Sequence, residues 1–175
     1  MLLRPYRPDD REACLALFDS NVPTFFASFE KDGFVTFIDE LAEEGIEYVA
    51  VQDGERIVAC GGVALRAGEA RMCWGIVHGK RHGEGIGSTL LVLRLLRGAM
   101  LGATFAGLDT IPRTVPFFER LGFRVVGKTD DYYGPGIHRR DMKLVFDDTT
   151  VTKLRARLAE LTAGRVDIAP SVFRP

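Results

Sequence analysis

His82-Gly83-Glu84-Gly85-Ile86-Gly87-Ser88-Thr89, residues 82–89, is the stretch whose reading decides the fold. It follows an apolar run of strand character, Ala70 to Val77, and opens a helical pattern reaching about Met100, with Ile86, Leu90 and Leu93 on one face. At such a strand-to-helix turn the first N–H groups of the helix point outward without intrahelical partners. The positive end of the helix dipole adds to them, so a phosphate binds there without a large net charge. Glycines let the ligand approach the main chain, and Lys80, Arg81 and His82 stand just upstream as further cationic or titratable groups. Two common nucleotide motifs fail. The third glycine of GxGxxG is replaced by Ser88, and no Gly-Lys-Ser/Thr follows at P-loop spacing. The plain alternative is that the glycines only make a tight turn.

Upstream, Leu2 to Tyr6 reads as a strand, and Asp9 or Asp10 is placed to cap a helix ending near Phe18. Asn21-Val22-Pro23 breaks it. A second helical stretch runs from Thr24 to Glu43, open to interruption at Gly33, with Phe25, Phe26, Phe29, Phe34 and Phe37 as an aromatic face expected in the core. Tyr48 to Val51 and Ile57 to Leu65 form a hairpin about Asp53-Gly54, and a turn at Ala67 to Glu69 leads into Ala70 to Val77. Three successive antiparallel strands result. Downstream come a strand (Thr104 to Ile111), a short helix (Pro112 to Leu121) closed by Gly122, and two strands (Phe123 to Lys128, Arg139 to Phe146). A helix from Thr150 to Ala163 and a tail from Arg165 complete the order, which is that of a mixed α/β layer sheet rather than a regular doubly wound one.

The chain has 175 residues, 46% hydrophobic and 27% charged, with a formal net charge of -1. That length suits one domain with a real core, and the near-neutral balance removes the broad attraction that drives nonspecific nucleic-acid binding. Cys14, Cys60 and Cys73 make no CxxC pair, so neither a disulfide framework nor a zinc ribbon is expected. The start shows no basic-then-apolar leader pattern, and the apolar run Val58 to Leu65 is far short of the about 20 residues that cross a bilayer. A reducing cytoplasm is the expected location, with no membrane partner. His78, His82 and His138 lack acids at ligand spacing, so no metal is expected.

The glycine stretch resembles the signature of the GCN5-related N-acetyltransferase (GNAT) superfamily, Arg/Gln-x-x-Gly-x-Gly/Ala at the start of the helix after the fourth strand. Here it is His82-Gly83-Glu84-Gly85-Ile86-Gly87, with His82 where Arg or Gln is usual. A second stretch, Thr114-Val115-Pro116-Phe117-Phe118-Glu119-Arg120-Leu121-Gly122-Phe123, is similar to the family's late Tyr-Glu-x-Leu-Gly-Phe. The resemblance covers residues 1–146 as one acetyltransferase domain, with 147–175 a helix and tail appended to it. It implies a mostly antiparallel sheet flanked by helices and splayed between its fourth and fifth strands, with acetyl-CoA in the gap. By the same carry-over, main chain at Ile76 and Val77 pairs with the pantetheine arm. The turn from His82 and Gly83 through Glu84, Gly85, Ile86 and Gly87 to Ser88 holds the pyrophosphate, and Thr114 and Phe118 border the cofactor.

The implied reaction is direct attack of a primary amine, of a small molecule or a protein, on the thioester. It needs a neutral amine, a stabilised oxyanion and a proton for the leaving thiolate. Phe118 stands where the family's acid is usually Tyr and has no proton to give. Tyr133, then Tyr132, in the loop between the last two strands, are the alternative donors, and Glu69 is the candidate base, each with a surface or turn role as its plain alternative. Cys73 is read first as core and only then as a nucleophile. Asn21, Phe25 and Phe26 are expected to wall the acceptor cleft. The rival reading is a noncatalytic acyl-CoA-binding or regulatory module of the same fold, favoured by Phe118 and His82. The terminal helix is open to a homodimer contact, a lid or docking on its own sheet.

Overall fold

The computed structural model describes residues 1–41 and 45–173. The chain begins with strand β1 (Leu2–Pro5), then helices α1 (Arg11–Asp19) and α2 (Glu30–Asp39). Strands β2 (Glu47–Asp53), β3 (Arg56–Arg66) and β4 (Glu69–Val77) lead into helix α3 (Ile86–Met100). Strand β5 (Phe105–Thr110), the short helix α4 (Val115–Glu119), strands β6 (Arg124–Thr129) and β7 (Arg139–Val145), helix α5 (Asp148–Thr162) and strand β8 (Asp167–Ile168) follow. Among the described residues eight strands lie in the order β6-β7-β5-β4-β3-β2-β1-β8, with only β4/β5 and β1/β8 parallel.

Alternation along the strands sorts the core into two layers. One face takes α3, whose Ile86, Leu90 and Leu93 pack with Leu3, Val51 and Val58, while Leu91, Val92 and Leu95 meet Met72, Ala106 and Leu108. Helix α5 joins this layer through buried Leu154 and the flanking Leu158 and Leu161, packing beside α3. The other face takes α1 and α2, whose Cys14, Leu17, Phe18, Phe34 and Ile38 cover Tyr48, Cys60 and Ile76. No helix among the described residues is long and apolar enough to cross a membrane.

Four local expectations need correction. Asp10 does not cap α1 through its side chain; its carboxylate instead accepts the Arg7 N–H at 2.8 Å and grips the Arg4 guanidinium at 2.7 and 2.8 Å. The second helix starts at Glu30 rather than Thr24 and passes through Gly33 unbroken, while its expected end at Glu43 lies outside the described residues. Phe29 precedes that helix and is 62% exposed, so it leaves the aromatic core. The tail adds a strand the periodicity did not show: β8 pairs with β1, with Leu2 opposite Asp167 and Leu3 opposite Ile168.

Two irregularities in β4 shape the middle of the sheet. Between the pairs Cys60/Ile76 and Gly62/Cys73 the β4 side carries one extra residue, a bulge at Trp74-Gly75, and Trp74 has φ 35°. That turn drops the indole into the α1/α2 layer against Phe26 (5.9 Å) and Phe34 (5.1 Å), and Tyr48 donates its hydroxyl to the Trp74 carbonyl at 3.0 Å. The second is at the junction with β5. Pairing runs only through Glu69/Phe105, Ala70/Ala106 and Arg71/Gly107. Beyond it β4 continues along β3 to Val77 while β5 follows β7 to Thr110 opposite Arg140, so the two strands part into a wedge.

Candidate functional site

The glycine turn sits at the open end of this wedge, directly after β4. Gly83 (φ 86°) and Gly85 (φ 85°) both lie in the left-handed region that favours glycine, and no side chain caps the start of α3. The first amides of this fifteen-residue helix therefore have no side-chain partner among the described residues. Gly87 marks the mouth: a Cβ there would lie 3.4 Å from Val77 Cγ2 and 3.7 Å from Phe117 Cζ, one atom on each wall. Ile86 is buried in the core, so it offers only main chain to any ligand, while Ser88 is half-buried.

The charges around the turn are mostly committed. Arg81 pairs with Glu84 at 2.7 Å and Asp53 at 3.0 Å, which pins the loop to the β2/β3 hairpin. His82 folds back, with Nε2 3.0 Å from the Val77 carbonyl; a carbonyl only accepts, so Nε2 carries the proton. Its ring meets Phe25 edge-on at 4.8 Å. Among the described residues Lys80 is the cation upstream of the turn with no ion pair.

On β4 the His78 N–H donates to Val58 at 2.9 Å, and antiparallel alternation then turns the main chain of Val77 away from β3, toward the wedge. Ile76 is turned the other way and pairs with Cys60, so of these two expected pantetheine partners only Val77 faces the gap. The Val77 carbonyl also accepts from Asn21 Nδ2 at 2.9 Å. Asn21 is 3% exposed and its amide also donates to Leu17 O at 2.8 Å, so it ties the end of α1 to β4 rather than walling a cleft.

An open cleft of about 360 Å³ lies on the α1/α2 side, lined by Phe25, Phe26, Glu30, Ile111, Arg113 and His138 among others. Phe25 and Phe26 line this cleft, and Asn21 does not. Glu30 is the carboxylate of this cleft: Oε2 accepts the Ala27 N–H at 2.7 Å, and burial, reinforced by the charge of Asp109, pushes its pKa up despite that hydrogen bond. Arg113 lies 5.5 Å over the Phe25 ring. His138 Nδ1 lies 3.2 Å from the Asp131 N and 3.3 Å from Asp130 Oδ1.

Asp109, on β5 two residues past the last β4 pair, gathers a polar network. Its two oxygens take the Arg71 guanidinium and the Tyr133 hydroxyl, and Arg139, paired with Asp141 at 2.6 Å, approaches to 3.9 Å. Burial and this hydrogen bond push the Tyr133 pKa far above the usual phenol value, so its proton is held for Asp109. Tyr132 is 55% exposed, with the Arg139 guanidinium 4.6 Å from its ring centre. Glu69 is at the closed end of β4, eight residues and roughly 26 Å from Val77 at strand rise, and faces Arg71 at 3.6 Å. It cannot serve the open end as a base. Burial pushes the Cys73 thiol up, which suits packing rather than nucleophilic attack. Phe118 packs on Phe117 and Phe123, and Thr114 donates to the Ile111 carbonyl at 2.9 Å, holding the turn into α4. Among the described residues no cluster of His, Cys, Asp or Glu is arranged to hold a metal.

Asp109, Glu30 and Arg113 were missed in the sequence. For Asp109 the signal was there: an acid in the apolar strand Phe-Ala-Gly-Leu-Asp-Thr, alternating with Ala106 and Leu108 onto the opposite face.

A sheet split between parallel strands β4 and β5, with a glycine turn and helix at the split, is the fold of the GNAT-family N-acetyltransferases. Solved structures of that family superpose on this chain. A protein assigned to the GNAT family from Desulfovibrio desulfuricans matches with TM-score 0.70 at 20% identity, over 82% of this chain and 97% of its own. A ribosomal-protein-alanine N-acetyltransferase from Brucella melitensis gives 0.70 at 15%, over 83% and 100%. A phosphinothricin acetyltransferase from Sinorhizobium meliloti, solved with acetyl-CoA, gives 0.69 at 16%, over 83% and 88%. No family model matches the sequence. No curated protein matches it either.

Proposed function

We propose that this chain is an acetyl-CoA-dependent N-acetyltransferase that acts by direct attack of an amine on the thioester. The observation that carries the reading is the wedge: β4 and β5 separate after Arg71/Gly107, and the amides of residues 83–88, which donate to no turn or cap acceptor among the described residues, close its open end. The pyrophosphate of acetyl-CoA sits on those amides, the pantetheine arm runs along Val77 as an added strand, and the thioester reaches toward the aromatic cleft beyond. Glu30 is the group there that attracts an ammonium and receives its proton, and the aromatic walls of Phe25 and Phe26 shelter the neutral amine. Tyr133 orients Asp109 rather than acting as the acid, because its raised pKa makes proton donation to a thiolate uphill.

Calorimetry with acetyl-CoA, ATP and NAD, followed by thiol release with an amine panel, tests the proposal. Binding of acetyl-CoA alone and release with at least one amine are expected; preference for ATP or NAD overturns it. Binding with no thiol release across the panel selects the second reading, a noncatalytic acyl-CoA-binding module, which the packed Phe118 ring favours.

A further inference from the structure

Helix α3 carries an arginine where its buried face meets the sheet. Arg94 is 5% exposed and lies along the helix, Nε donating to the Leu90 carbonyl at 3.2 Å. Its Nη1 enters the β3/β4 bulge and donates to the Gly62 and Cys73 carbonyls at 3.1 and 3.2 Å. Two glycines make the room: a Cβ on Gly61 would fall 2.8 Å from Nη1, and one on Gly75 would fall 2.5 Å from Nη2. No carboxylate among the described residues pairs with this cation. The groups nearest its charge are Tyr48, Cys60 and Cys73, and burial disfavours the charged form of the tyrosine and of Cys73 as it does that of Arg94 itself.

Nη2 takes no acceptor among the described residues, yet every fully buried side-chain nitrogen and oxygen there has one. Nη2 is therefore not completely sealed, and it lies beside Gly75, an exposed residue of β4 past the point where β5 departs. A largely desolvated cation without a counter-charge among the described residues, with one nitrogen left without an acceptor beside the strand that borders the wedge, is matched to an oxygen that gains negative charge there.

We infer that Arg94 is a catalytic residue whose Nη2 donates a hydrogen bond to the acyl carbonyl oxygen of the thioester held in the β4/β5 wedge. The inference rests on the acetyl-CoA reading. As the amine nitrogen bonds to the carbonyl carbon, the C=O electron pair moves onto the oxygen beside Nη2. It returns as the C–S bond breaks, and the proton lost by nitrogen ends on the departing sulfur. The bulge supplies the geometry: it seats Nη1 on two fixed carbonyls and so aims Nη2.

The test uses the full chain and two ligands, acetyl-CoA and S-ethyl-CoA, a thioether that lacks the carbonyl oxygen. Calorimetry on the wild type is expected to show acetyl-CoA binding at least about tenfold tighter, the effect of one hydrogen bond to a charged group. Arg94→Gln is expected to lose the preference while keeping affinity for S-ethyl-CoA. Where Arg94→Gln does not fold, Gly75→Ala serves, since its methyl would fall 2.5 Å from Nη2 and 3.2 Å from both Cζ and Nη1 and so pushes the guanidinium off its seat. Equal affinities in the wild type, or an undiminished preference in either folded variant, overturn the assignment to Arg94 alone. Failure of the wild type to bind either compound overturns the cofactor reading instead.

Discussion

Replacing Gly87 by alanine separates stability from ligand binding at one atom. Gly87 is the second residue of α3, and its added Cβ would make ordinary contacts with Val77 and Phe117 at 3.4 and 3.7 Å. Alanine in place of glycine within a helix is worth up to about 1 kcal/mol, less in the first turn, and burying a methyl adds a gain of at most about 0.8 kcal/mol. The apo protein is therefore expected to gain about 1 kcal/mol, a rise in Tm of roughly 2–4 °C for a chain of this size. The same methyl occupies the mouth between the two walls and screens the amides at the start of α3. Losing one charge-assisted hydrogen bond weakens acetyl-CoA at least about tenfold. At a ligand concentration one hundred times the wild-type Kd, ligand stabilisation then falls from about 2.7 to about 1.4 kcal/mol. Thermal unfolding with and without acetyl-CoA, together with calorimetry, reads both quantities. Unchanged affinity in a variant whose apo Tm has risen would refute the placement of the pyrophosphate at this turn.

Glu30→Gln keeps the hydrogen bond from Ala27 but removes the carboxylate charge, so acetyl transfer to a cationic amine is expected to fall by about 10²-fold or more at neutral pH while acetyl-CoA affinity stays constant; an unaltered rate removes Glu30 from the chemistry. Glu69→Gln is expected to leave both kcat and KM within twofold, since the side chain is at the closed end of the strands, and a large loss in kcat would contradict the wedge geometry. Asp10 is buried with Arg4, and although burial alone raises its pKa, the Arg4 guanidinium and the Arg7 N–H outweigh that and hold it below the usual carboxylate value. Its contribution is thus present above about pH 3.8 and lost as pH falls through the lowered folded-state pKa. Asp10→Asn is expected to cost about 3 kcal/mol at pH 7 by leaving Arg4 unpaired, and urea titrations from pH 7 to pH 2 should show the gap to wild type closing; a constant gap refutes the linkage.

Much of the sheet was legible because its central strands are joined by short turns with explicit chemistry. Asp53-Gly54 and Ala67-Gly68 fix two hairpins, and the zero, four and seven spacing of Ile86, Leu90 and Leu93 fixes the buried side of α3. The glycines of the turn were legible because positive φ is a backbone demand that few residues meet. The acceptor side was harder. Asp109, Glu30 and Arg113 come from separate elements, and no local pattern says that Tyr133 closes on a strand 24 residues away. Glu69 looked suitable by type, and only the pairing of β4 with β5 reveals that it is at the wrong end. Phe29 belonged to the right composition but to a stretch that never becomes helix, so the assumed periodicity turned it inward.

The two-residue strand β8 carried no period to read, yet Asp167 and Ala169 donate their N–H groups to Met1 and Leu3 carbonyls at 2.9 and 2.8 Å. Strand β1 therefore gets its second neighbour from a segment made some 165 residues later. While a nascent chain is still on the ribosome, the outer rim of Leu2–Pro5 has unsatisfied main-chain groups that another copy can zip onto. Shortening the chain ahead of Asp167 makes that hazard permanent, so such a fragment is prone to aggregate even where every residue of the wedge is intact.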